Sequence, residues 1–244
     1  RAIATELASR GARVGLLARS KGELESLAAE LPGDPVVLPA DVSERGEVER
    51  AVEELVEVAG GLDLVVANAG VAHYGPFIEA EAADLEQMVR VNVLGCIHTV
   101  RAALNPMLAS GRIGHVVIVS SGAGLRAFPD AAVYGATKAA NRALAEALRH
   151  ELAGTRIGLT TVYPGEVETE LHAHEWERMP DWREGEDELD PAVLAEQVAA
   201  AIESDDRAVY APKLVRLLGL NGIAPAAVDA LLRRIRGESA APRR

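Results

Sequence analysis

Hydrophobic positions along this chain change period again and again. Short apolar runs rich in Val, Ile and Leu alternate with longer stretches where apolar residues recur every three or four positions. The short runs are ARVGLLAR (ending at Arg19), PVVLPADV, LDLVVANAG, HVVIVSS, IGLTTVYPG and RAVYAP. Each reads as a strand, and the near-continuous ones suit strands buried on both faces of a parallel sheet. Between them, residues 2–10, 21–31, 44–59, about 82–108, 131–153 and 191–203 carry helical spacing. In 44–59, Val48, Val52, Leu55, Val56 and Ala59 form one apolar stripe. Gly11 stops the first helix and Pro32 the second. Regular alternation with short connections predicts an α/β fold, a three-layer doubly wound parallel sheet. Reactive groups in such a sheet gather at the carboxyl ends of the strands.

No internal repeat or low-complexity linker interrupts the pattern, so 1–244 is expected to be a single domain. Two segments depart from the rhythm. Residues 166–190 are long and acidic, and they contain Trp176 and Trp182. A long segment at a strand's carboxyl end is expected to be a substrate lid, with a solvated surface loop as the alternative. Residues 213–244 form a C-terminal helical extension, amphipathic through residue 236, where LLRRIR ends. Packing on the domain is its expected role, and contact with a membrane surface or a partner is the alternative.

Composition narrows the function classes. Hydrophobic residues are 49% of the chain but aromatics only 3%, so the core has to be built from Ala, Val, Leu and Ile. A formal net charge of -12 repels nucleic acid and anionic lipid, and neither is expected as a bulk partner. A few Arg residues and backbone N–H groups can still hold a phosphate locally. The single cysteine, Cys96, cannot make an internal disulfide, and its apolar helical surroundings predict a buried, inert thiol. No apolar run reaches about 18 residues, so no transmembrane helix is expected. No signal peptide is recognised either, and a cytoplasmic location is expected.

The strongest chemical signal is YGATK, which sets Tyr134 and Lys138 four apart on one face of a predicted helix. An ammonium beside a phenol favours the phenolate and makes tyrosine a usable proton donor or acceptor nearer neutral pH. With four tyrosines and three lysines (Lys21, Lys138, Lys213), random placement gives on the order of 0.05 such pairs. Ser120 and Ser121 end a buried strand, where a hydroxyl can hydrogen-bond a substrate oxygen; alone, such a serine is a turn former. Asn92 sits among apolar neighbours in VNVLG, inside a predicted helix where Asn is a poor choice. It either plugs a helix irregularity or holds a proton-relay water. Small residues in ANAG (67–70) let a ligand approach the backbone closely, and Pro164 and Gly165 in YPGEVET end a strand and leave the Val167 N–H and Thr169 free to bind.

YGATK, with Ser121 thirteen residues before Tyr134, resembles the short-chain dehydrogenase/reductase superfamily. ANAG, VNVLG, the ADV at 40–42 and PGEVET resemble it in the same order, from Arg1 to about Pro212. The resemblance implies a Rossmann-like sheet and an oxidoreductase that interconverts a carbonyl and an alcohol by hydride transfer. It implies Tyr134 as general acid/base, Lys138 as the group that lowers its pKa and binds the nicotinamide ribose, Ser121 as carbonyl polariser and Asn92 as proton-relay residue. Asn68, Ala69 and Gly70 would line the adenosine, and Asp41 with Val42 would meet the adenine. Pro164, Gly165, Val167 and Thr169 would hold the nicotinamide. Arg19 stands where NAD-selective relatives carry an acidic residue for the ribose 2′-OH, so NADP(H) is expected over NAD(H). A homodimer or homotetramer is implied likewise.

One departure is large. The Gly-rich turn TGxxxGxG and the strand before it are absent, and Arg1 falls where the following helix has begun. The sequence is therefore expected to be N-terminally truncated, with the strands near 13–18 and 62–67 deprived of a shared neighbour. The alternative function is a truncated or inactive protein of the same fold that acts as a binding module. His73, Tyr74, Leu125 and the Trp176–Trp182 segment are candidate substrate-pocket residues, with a surface-turn role the plainer reading of His73. Glu170, His172 and His174 lack metal-ligand spacing on a helix, and no metal is expected.

Overall fold

The computed structural model describes residues 1–169, 171, 175, 178 and 188–226. Strands and helices alternate through them: α1 (Ala2–Ser9), β1 (Gly15–Ala18), α2 (Lys21–Glu30), β2 (Val36–Pro39), α3 (Arg45–Ala59) and β3 (Leu64–Ala67). Then come α4 (Ala82–Met88), α5 (Gly95–Ser110), β4 (Gly114–Val119), α6 (Ala132–Glu151), β5 (Ile157–Pro164), α7 (Pro191–Ser204) and β6 (Ala208–Ala211). Every strand pair is parallel. Gly11, with φ +92, leaves α1 in a conformation that favours glycine.

β4 is the centre of the core, with all six residues buried. Its alternation divides that core in two. Val116 and Ile118 face Cys96, Val100, Ala103, Leu104 and Met107 of α5 and Ala145 of α6. Val117 and Val119 face Val198 and Ala201 of α7, with Ile3 of α1 packed on the same cluster. Burying one such Val or Ile side chain is worth roughly 1.5–3 kcal/mol, which is why an apolar run such as Val116–Val119 is stable only between two helical layers.

The strands form two sheets, in the orders β1-β2 and β3-β4-β5-β6. β1 and β3 each end their sheet, so the strands near residues 13–18 and 62–67 share no ladder, as expected from the sequence. A ladder needs a partner within about 4.8 Å, and no described strand supplies one between them. Both faces of the smaller sheet are nonetheless covered. Leu16 packs with Ala8 of α1 and Leu24 and Leu27 of α2. Leu38 packs with Ala51 and Leu55 of α3.

Two predicted elements differ in detail. The helix expected over 82–108 is interrupted by a π-helical turn, Val89–Leu94, in which the Gly95 N–H bonds back to Arg90 O. Residues 213–222 form a 3₁₀ helix rather than an α-helix, with Val215 buried and Leu214, Leu217 and Leu220 exposed. Residues 227–244 of the expected extension lie outside the described residues, as do Trp176 and Trp182 of the expected lid. No helix of the described residues is long and apolar enough to cross a membrane.

Candidate active site

The carboxyl ends of β3, β4 and β5 converge on the start of α6. Tyr134 and Lys138 lie one turn apart on α6 and are buried, at 8% and 4% exposure. The Lys138 ammonium sits 5.9 Å from the centre of the Tyr134 ring. Nζ donates to the carbonyl of Val119, the last residue of β4, at 3.2 Å. An ammonium has three donors, and this carbonyl is its one hydrogen-bond acceptor among the described residues. Burial lowers its pKa from 10.5 to about 8, with the Cys96 thiol pulling weakly the other way. Cys96 is buried as predicted, and burial pushes its thiol up to about 11, far from a reactive thiolate.

The two serines after β4 divide their work. Ser120 is 1% exposed, and its hydroxyl donates to the Lys138 carbonyl at 2.7 Å, tying β4 to α6. The Ser121 hydroxyl accepts from the Ala123 N–H at 3.1 Å and caps the short 3₁₀ turn Gly122–Gly124. That turn is pressed against α6: a Cβ on Gly124 would stand 2.5 Å from Ser120 Oγ and 2.7 Å from Lys138 O. Gly124→Ala should therefore destabilise the protein by about 1–3 kcal/mol, the usual cost of overpacking, and lower turnover by shifting Ser121. Urea unfolding checks the first effect and a steady-state assay the second.

Asn92 is fully buried in the π-turn. Its Oδ1 accepts from Val71 N–H at 2.8 Å, and its Nδ2 donates to Val71 O at 2.9 Å and to Thr137 Oγ1 at 3.0 Å. A helix irregularity does lie at Asn92. The amide satisfies the strand-end loop and α6 together, which explains a polar residue among apolar neighbours. Beneath it runs Gly70, where a Cβ would lie 3.3 Å from Lys138 Nζ and 3.4 Å from Asn92 Oδ1. A side chain here would press on both groups.

The remaining candidate residues line the same strand ends. Arg19 follows β1 and is exposed. Asp41, after β2, accepts at one oxygen from the backbone N–H and the hydroxyl of Ser43, each at 2.8 Å. Val42 fills the space over Gly95, whose missing Cβ would lie 2.7 Å from a Val42 methyl. Asn68 and Ala69 are exposed at the end of β3. Gly165 donates to Ala211 O at 2.7 Å, and a Cβ there would crowd Pro212 at 3.2 Å. Val167 bridges Leu189 through the neighbouring Glu166 O and Glu168 N, which leaves the Val167 N–H outside that ladder; Thr169 is exposed.

His73 is not the surface-turn histidine that its sequence position suggested. Its side chain is 12% exposed and reaches Glu175 Oε1 at 2.7 Å and Gln87 Oε1 at 2.8 Å. Tyr74, also singled out, is 7% exposed with its ring 6.3 Å from that of Tyr134. Leu125 begins just beyond the 3₁₀ turn that carries Ser121. Glu175 was missed, since nothing near it in sequence marks it out. Glu170, His172 and His174 lie outside the described residues.

The residues fit a nicotinamide dinucleotide. A buried ammonium with donors to spare suits a ribose diol, and a strand-end glycine pressed against it leaves the backbone open to a flat ligand.

Comparison with known proteins agrees. Residues 1–180 match the short chain dehydrogenase family. An uncharacterized oxidoreductase of Staphylococcus aureus strain MW2 is 35% identical over 202 residues, 82% of this chain and 84% of the relative. An uncharacterized oxidoreductase of Listeria monocytogenes is 37% identical over 176 residues, 70% of this chain and 71% of the relative. Among solved structures, a short chain dehydrogenase/reductase from Burkholderia phymatum in complex with NAD superposes with a TM-score of 0.84 at 26% identity, covering 93% of this chain and 90% of that one. An alcohol dehydrogenase from Thermococcus sibiricus, complexed with 5-hydroxy-NADP, gives 0.75 at 29% identity, covering 86% and 88%. On these grounds the chain belongs to the short-chain dehydrogenase/reductase family and is an NAD(P)-dependent oxidoreductase with a Rossmann-like fold.

Proposed function

We propose that the protein interconverts a carbonyl and an alcohol on a small molecule, with Tyr134 as general acid/base and NADP(H) preferred over NAD(H). The observation that carries this reading is the buried Lys138 ammonium beside the Tyr134 ring, with one protein acceptor for its three donors. When bound, the nicotinamide supplies or accepts the hydride. The chain's own residues handle the proton and the geometry. Tyr134 gives its phenolic proton to the carbonyl oxygen in reduction and takes the alcohol proton in oxidation. Lys138 stabilises the phenolate left behind and holds ribose hydroxyls with its spare donors. Ser121 donates to the substrate oxygen and strengthens its polarisation. Asn92, through Val71 and Thr137, keeps the end of β3 against α6 so that the groups meet.

Arg19 supports the cofactor preference. It stands exposed at the carboxyl end of β1. It makes no side-chain hydrogen bond or ion pair among the described residues. A guanidinium so exposed suits a 2′-phosphate, which it can grip with two parallel hydrogen bonds. A panel of ketones, aldehydes and secondary alcohols assayed with all four cofactor forms tests the reaction. kcat/KM should be higher with NADPH than with NADH, and Arg19→Asp should shift that ratio toward NADH by tenfold or more, about 1.4 kcal/mol. Equal use of both cofactors by the unmodified protein refutes the preference, and no turnover on any member of the panel counts against the reaction.

A further inference from the structure

His73 and Glu175 are 102 positions apart in sequence and meet next to Tyr74, whose ring lies 6.3 Å from that of Tyr134. The loop after β3 is held at two successive points. Val71 is gripped by Asn92, at 2.8 and 2.9 Å. Two residues on, Glu175 holds His73 Nδ1 through Oε1 at 2.7 Å and the Tyr74 N–H through Oε2 at 3.3 Å. The Tyr74 ring then packs at 6.3 Å from that of Tyr134, in a cluster with Ala72, Met88, Ala123 and Ala131. Glu175 is 4% exposed. A carboxylate so buried is stable only with partners that answer its charge and its lone pairs. Here both oxygens are used on one loop, and that loop backs the catalytic tyrosine.

The ring of His73 supplies the charge. Nδ1 faces Glu175 Oε1 and Nε2 faces Gln87 Oε1, an arrangement that lets an imidazolium donate on both sides. Asp84 Oδ2 lies 3.8 Å from Nδ1 as a second carboxylate, and Arg178 faces that same Asp84 oxygen at 3.7 Å. Burial works against a charge on His73, but the hydrogen bonds to Gln87 and Glu175 and the field of Asp84 outweigh it and raise the pKa above 6.5. The arrangement therefore spans three elements around the site: α4, the loop after β3 and the segment after β5.

We infer that His73 and Glu175 are a charged positioning pair for Tyr134, acting through Tyr74, so that catalysis depends on the charge state of His73. The inference rests on the reading of Tyr134 as the acid/base. His73 touches neither substrate nor cofactor in this role. As pH rises through the His73 titration, the imidazolium is lost and Glu175 keeps a weaker, neutral partner. The loop then loosens and Tyr74 no longer holds the Tyr134 ring to one orientation.

The test uses three full-length variants. His73→Asn keeps a donor near the Nδ1 position but carries no charge. Glu175→Gln keeps the shape but offers only one acceptor oxygen. His73→Ala removes both ring nitrogens. His73 is followed by NMR titration, its signal identified by its loss in His73→Asn. It should titrate above 6.5 in the unmodified protein and lower in Glu175→Gln. Wild-type kcat should fall as pH rises through that titration, and the inflection should vanish in His73→Asn. Glu175→Gln and His73→Ala should lower kcat by about ten- to a hundredfold, the scale of a small misplacement at the reacting centre, while cofactor Kd stays within about twofold. Unchanged kcat and unchanged pH profiles in the variants overturn the inference, as does a His73 that titrates at or below 6.5. Amide hydrogen exchange keeps this separate from the reading of Tyr134. If no carbonyl or alcohol is turned over, faster exchange at residues 71–74 in Glu175→Gln still supports the pair, and unchanged exchange there still overturns it.

Discussion

Tyr134→Phe folds like the unmodified protein and loses turnover by about 10²–10⁴-fold, the usual contribution of a positioned acid or base. The substitution removes one oxygen from a residue that is 8% exposed and packed among Tyr74, Met88, Ala123 and Ala131. The ring keeps those contacts, so packing changes little. What disappears is the atom that gives up or takes the proton. Cofactor binding should persist, because Lys138, Gly70 and the ends of β3 and β5 remain. Cofactor fluorescence on titration, thermal unfolding and steady-state kinetics together check the result. A variant that keeps more than a few per cent of the wild-type rate refutes the role of Tyr134.

Lys138→Met should abolish most turnover while making the cofactor-free protein more stable at neutral pH. The two effects have one cause. Burying the ammonium with a single acceptor lowers its pKa from 10.5 to about 8, which means the folded state resists its charge. Below about 8 the group is charged in both states and the full penalty is present, about 3 kcal/mol for a shift of this size. Between about 8 and 10.5 the unfolded chain binds more protons than the folded one, so wild-type stability rises with pH. Above 10.5 both states are neutral and the penalty is gone. Methionine has similar length and no charge, but it forfeits the bond to Val119 O. A net gain of about 1–3 kcal/mol near pH 7 follows, shrinking toward zero or reversing by pH 10.5. Denaturant unfolding at several pH values measures it. A variant less stable than wild type at pH 7, with the same pH dependence, contradicts this account. Loss of cofactor affinity in the same variant checks the ribose-binding role, and Tyr134→Phe provides the contrast because it should leave that affinity in place.

The tension at Lys138 has the form expected of a functional group: a local rule is broken where the chemistry needs it broken. The Cys96 thiol, buried on the same side of the sheet, shows the reverse. Burial pushes it to about 11, away from reactivity.

Much of this protein was determined by sequence order alone. Short apolar runs marked the six strands of the described residues, because side-chain direction along a strand is a local property. The spacing of Tyr134 and Lys138 put them on one helix face for the same reason, and glycine and proline marked where α1, α2 and β5 end. Other features had to await the folded chain. The π-turn at Val89–Leu94 carries Asn92, whose amide bonds with Val71, 21 positions away, and with Thr137, 45 away. Ser120, which alone reads as a turn former, ties β4 to the Lys138 carbonyl 18 positions on. His73 looked like a turn residue because its partners, Gln87 and Glu175, come from α4 and from the segment after β5. The physical reason is common to all three. Periodicity and turn chemistry report how a residue relates to its neighbours in sequence, whereas a buried polar side chain is chosen by whatever folding brings within about 3 Å of it.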